Sequence, residues 1–170
     1  DSDSETLPWQ IEISKLDIGN SKVIYHDADA NLYKDHRFDY DNLEINQIFV
    51  DVSDVNIFGD SIKAMINNIS GEEKSGLSLK KFKGLAYLTS QSTTIPDLVI
   101  FANNSEYHLD LKFNYNEYRD YRSLRSNINM DLLLKEGTSF LLSDISCFAP
   151  ELKGMRNNIS GTGKFLGTIK

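Results

Sequence analysis

Tyr107, Leu109, Leu111, Phe113 and Tyr115 alternate without a slip with His108, Asp110, Lys112 and Asn114. Successive side chains on a strand point to opposite faces, so this stretch has one apolar and one polar face. The pattern recurs at Trp9, Ile11 and Ile13, along the run from Leu43 to Ile57, and at Ile62, Ala64 and Ile66. It returns from Leu77 to Tyr87, from Leu98 to Ala102, and at Ile128, Met130, Leu132 and Leu134. No long stretch of helical periodicity accompanies these strands, so the chain predicts an all-β fold.

Several details follow from slips in the alternation. The change of parity from Ile13 to Leu16 predicts a β-bulge near Ser14 and Lys15. Gly19-Asn20 reads as a hairpin turn with a returning strand at residues 22–26. Residues 27–41 are polar and acidic and predict a loop. Gly59-Asp60, residues 67–74, residues 103–105 and Glu136-Gly137 supply further turn signals. Residues 116–127 predict a loop or a short helix. Residues 143–149, which open with Ser143 and end before Pro150, predict one short helix. A last strand is expected from Asn158 to the end of the sequence.

One echo runs through the chain. Asn67-Asn68-Ile69-Ser70-Gly71 recurs letter for letter as Asn157-Asn158-Ile159-Ser160-Gly161, each copy followed by a Lys-Phe pair and a glycine. Chance recurrence of common turn residues would produce this, and so would a multi-strand repeat. On the second reading the chain is a single fragment, residues 1–170, of a longer β-repeat array, with junctions near 67–71 and 157–161. An opening without an initiator Met, Asp1-Ser2-Asp3-Ser4-Glu5, leads to the same expectation.

Composition narrows the chemistry. Hydrophobic residues make up 40% of the 170 and charged residues 25%, which suits a folded domain. No run approaches the roughly 20 apolar residues of a membrane-spanning helix. A net charge of −7 argues against nucleic acid as a partner. Cys147 is the single cysteine, beside Phe148 in an apolar context, and reads as a small buried thiol. Asp27, Asp29 and Asn31 open like a calcium loop, but Leu32 and Phe38 stand where the glycine and the bidentate glutamate belong. His26, His36 and His108 share no ligand spacing. The expectation is no enzyme, no catalytic residue, no metal and no cofactor.

The apolar face is then the candidate for function, because burying it yields about 25 cal/mol per Å². A second sheet could cover it, closure into a barrel could enclose it, or apolar ligands and neighbouring repeats could line an open groove. On general frequency the sandwich leads, and it would make the chain a structural or adhesion module with no lipid ligand.

A further set of residues bears on this choice. Residues 9–13 with Leu16-Asp17-Ile18-Gly19-Asn20, then Val23-Ile24-Tyr25-His26-Asp27 and Phe38-Asp39-Tyr40-Asp41-Asn42-Leu43, fall in a characteristic order. They are followed by Ile66-Asn67-Asn68-Ile69-Ser70, by residues 142–150 with a Ser-x-hydrophobic…Phe-x-Pro pattern, and by the glycine-spaced residues 160–167. This order resembles the AsmA/TamB group of bacterial envelope proteins in its Bacteroidetes-type form. The resemblance implies an elongated, curved antiparallel sheet forming an open hydrophobic groove. It implies phospholipid transport between membranes and outer-membrane biogenesis, in a periplasmic protein whose parent is anchored in the inner membrane. The implied partners are phospholipid acyl chains, neighbouring repeats of the same protein and an outer-membrane barrel assembly protein. The groove residues would be Tyr107, Leu109, Leu111, Phe113, Ile128, Met130, Leu132 and Leu134.

Overall fold

The computed structural model describes residues 9–27, 38–117 and 128–168. The described residues form strands β1 (Gln10–His26), β2 (Asn42–Phe58), β3 (Ser61–Glu73), β4 (Ser78–Leu88) and β5 (Ser92–Ala102). They continue with β6 (Ser105–Asn114), β7 (Asn129–Leu134), β8 (Ser139–Leu141), β9 (Asn158–Ser160) and β10 (Gly163–Thr168). All belong to one antiparallel sheet, in the order β1-β2-β3-β4-β5-β6-β7-β10, with β8 beside β6 and β9 beside β8. The sheet is open, with β1 at one edge and β10 at the other. Among the described residues no second sheet stands opposite it, so the facing layer that a sandwich needs is not supplied.

Register shows why one face is mainly apolar. Ile11 pairs with Ile57, Ile57 with Ile62, Ile62 with Leu88, Leu88 with Thr93, Thr93 with Phe113, and Phe113 with Met130. Directly opposed residues share a face, so this row crosses seven strands on one side of the sheet. The next residue along each strand makes the reverse row: Glu12, Asn56, Lys63, Tyr87, Thr94, Lys112 and Asp131. One side is therefore greasy and the other largely polar, as alternation demands.

Bulges hold the long strands to that pattern. Asn20, Gln47, Asp54 and Asp97 all have φ near +50°, and each falls within a break in ladder register. An extra residue flips the parity downstream and lets a long strand keep its apolar residues on one side. The β-bulge expected near Ser14 and Lys15 is a correction: β1 and β2 keep one register from Ile13–Val55 to Leu16–Val52, and the register break at this level is that of β2 against β3, at Asp54. Gly19-Asn20 is a correction: it does not reverse the chain but kinks β1, which runs on to His26. Residues 67–71 likewise lie inside β3 instead of joining two strands, while the second copy of that motif spans β9.

Glu136-Gly137 also kinks without reversing. Leu134 faces Leu109 and Ser139 faces Glu106, so β7 and β8 follow one another along β6. Thr138 bridges the interruption: its hydroxyl donates to the His108 carbonyl and accepts from the His108 N–H, each at 3.0 Å. β9 and β10 repeat this broken track beside them, so the expected last strand is interrupted at residues 161–162. The short helix expected over 143–149 is instead a 3-10 turn at Leu142–Ile145, followed by another at Pro150–Leu152. Pro150 has no N–H to give an α-helix, and the preceding residue is held out of helical geometry (Ala149, φ −133°, ψ 84°).

The core is small. Ala86, Ile95, Leu98 and Leu109 are buried in the centre of the apolar face, with Ile66, Phe82, Ile100 and Leu111 against them. Away from that centre the face opens: Ile11 and Leu16 on β1 are each 44% exposed.

Candidate functional site

The apolar face forms a cavity of about 490 Å³ where β5 to β7, β10 and Leu77, just before β4, meet β8 and the segment after it. Its floor is built by cross-strand pairing. Ile100 faces Tyr107, Leu98 faces Leu109, Leu109 faces Leu134, and Leu132 faces both Leu111 and Phe165. Its far side is formed by Phe140, Ile145 and Phe148, and Phe140 stacks on Tyr107 with ring centroids 5.8 Å apart. Asp144 is the one charged residue in the lining among the described residues. Such a site can hold hydrocarbon and offers almost nothing to a polar ligand.

Of the residues named from the sequence, Tyr107, Leu109, Met130, Leu132 and Leu134 line this cavity. Leu111 packs against the core beside it, between Ile95 and Leu132. Phe113 lies further along the same face, opposite Thr93 and Met130. Ile128 corrects the groove assignment, since it is wholly buried and protein already covers it. Leu77, Ile100, Ala102, Phe140, Ile145, Phe148 and Phe165 line the cavity but were not named. Alternation marked Ile100 as strand-facing. The contribution of residues 140–148 depends on a fold-back that periodicity does not encode.

The polar groups near the cavity are quiet. Burial pushes the Tyr107 phenol above its usual range, and burial does the same to the Cys147 thiol. Both are neutral at physiological pH. Cys147 therefore lacks the thiolate character of a nucleophile. Among the described residues no group of three His, Cys, Asp or Glu side chains converges to hold a metal, and Asp29 lies outside the described residues. No described helix is long and apolar enough to cross a membrane.

No protein family, curated protein or solved structure matches this chain.

Proposed function

We propose that this chain is a segment of an AsmA/TamB-like periplasmic protein whose groove carries phospholipid acyl chains between membranes in outer-membrane biogenesis. The role is non-enzymatic, and the parent is anchored in the inner membrane. Neighbouring repeats continue the groove, and an outer-membrane barrel assembly protein receives it. The observation that supports this reading is the row from Ile11 to Met130, apolar at every strand but β5, where Thr93 stands, next to a cavity lined by Leu109, Leu132 and Leu134. Each methylene that a guest buries there contributes about 0.8 kcal/mol, so a chain of modest length offsets the cost of ordering it. A sandwich module would instead need two sheets about 10 Å apart, and the described strands form one.

Purified protein should carry phospholipid, seen by native mass spectrometry and by solvent extraction. Leu132→Glu places a carboxylate on the groove floor and should reduce bound lipid at least about tenfold, roughly two buried methylenes' worth. The fold should persist, because the new side chain can reach solvent along the open groove. Absence of lipid under conditions where a control lipid carrier retains it refutes the reading.

A further inference from the structure

Between β8 and β9 the chain leaves the sheet for residues 142–157 and folds back against the groove face. Neither 3-10 turn of this strap contains a buried residue, and Phe148 is 51% exposed although its ring lines the cavity. Among the described residues the strap is tied down at a few points, one of them the Asn103 side-chain amide donating to the Asp144 carbonyl at 3.4 Å. Asp144 accepts from the Asn104 N–H at 2.8 Å, the Ser105 hydroxyl at 2.6 Å and the Asn104 side-chain amide at 3.4 Å. The Phe38 N–H donates to the Cys147 carbonyl at 3.0 Å, and the Phe38 and Phe148 rings lie 5.0 Å apart. At the far end Gly154 has φ +85° and open space around its Cα, which suits a hinge.

We propose that residues 142–154 are a displaceable plug, with Ile145 and Phe148 filling the end of the groove and the Asp144 carboxylate latching them to the 103–105 turn. A guest chain advancing along the groove competes for the surface those two side chains cover. The latch donors are two amide groups and a hydroxyl, all of which water can replace, so opening the strap leaves no unpaired buried charge. Segments with few buried apolar contacts open locally without global unfolding. The identity of the guest rests on the groove reading above; the latch does not.

Cys147 is the chain's single cysteine, only 8% exposed and within the strap, so its labelling by a neutral maleimide reports the plug directly. In the wild-type protein labelling should run at least about tenfold faster than global unfolding permits and depend only weakly on low urea, the sign of local opening. Asp144→Ala should raise the labelling rate by a further factor of about ten, the loss expected when hydrogen bonds to one charged group go. Its global unfolding midpoint should move much less. Palmitate should accelerate labelling of the wild type. Labelling that tracks global unfolding in urea overturns the proposal even if Asp144→Ala fails to fold, and so does an Asp144→Ala rate equal to wild type. Palmitate that binds without changing the labelling rate removes the plug's role in admitting a guest. Palmitate that binds neither protein overturns the groove reading, and the labelling rates alone then decide the latch.

Discussion

Gly84 sits in the middle of β4, opposite Ile66 and beneath the β5 bulge, where the core is tightest. A Cβ placed there would lie 2.7 Å from Ile95 Cγ2 and 3.5 Å from Leu98 Cα. Carbon atoms prefer about 3.5–4.0 Å, so one of the two must retreat by about 1 Å. Ile95 cannot swing aside cheaply: it is branched at Cβ and buried. Overpacking of this kind costs about 1–3 kcal/mol, against about 0.5–1 kcal/mol gained by removing a glycine from a strand interior. Gly84→Ala should therefore destabilise the protein by about 1–2 kcal/mol net. With a urea slope of about 2 kcal/mol/M that lowers the midpoint by about 0.5–1 M. Ile95→Ala removes the obstructing methyl, so in that background Gly84→Ala should reverse sign and stabilise by about 0.5–1 kcal/mol. The double-mutant cycle would then show a coupling of about 1.5–3 kcal/mol. A neutral Gly84→Ala in the presence of Ile95, or additivity of the two changes, refutes the packing described for the core.

Two further outcomes follow from the bulges and from the polar face. Gln47 is exposed at φ +51°, so Gln47→Gly should stabilise by up to about 1 kcal/mol and Gln47→Val should destabilise, both read from urea midpoints. Lys135 lies 2.5 Å from Asp110 and 2.6 Å from Asp97, and its hydrogen bond holds the Asp110 carboxyl below its usual range. A carboxyl depressed in the folded state contributes stability above its unfolded pKa and loses it as pH falls through the folded one. Between about pH 6 and pH 2 the wild-type midpoint should fall further than that of Asp110→Asn, and parallel curves would contradict the assignment. The effect should be small and salt-sensitive, because Lys135 and Asp110 are partly in solvent and Asp97 is mostly so.

The strands were legible because alternation is local. From Leu109 to Phe113 and from Met130 to Leu134, period-two patterning named the inner face, and the register places those residues opposite one another. Gly19-Asn20 and Glu136-Gly137 misled because a left-handed residue serves a hairpin turn and a bulge equally well; which one forms depends on whether the neighbouring strand continues alongside. Ile128 misled because alternation says which face a residue takes, not whether protein already covers it. Residues 143–149 open with an N-cap-like serine and end before Pro150, the marks of a helix, yet the segment is held by Asp144 to a turn some 40 residues away in sequence.

By itself, the order of apolar and polar residues determined that this protein is built of strands with one greasy face, since side-chain direction on a strand is set residue by residue. Only the tertiary structure decided that the strands join one open sheet whose groove the chain partly fills with its own strap. Those outcomes depend on pairings between distant segments, for which a period of two carries no signal.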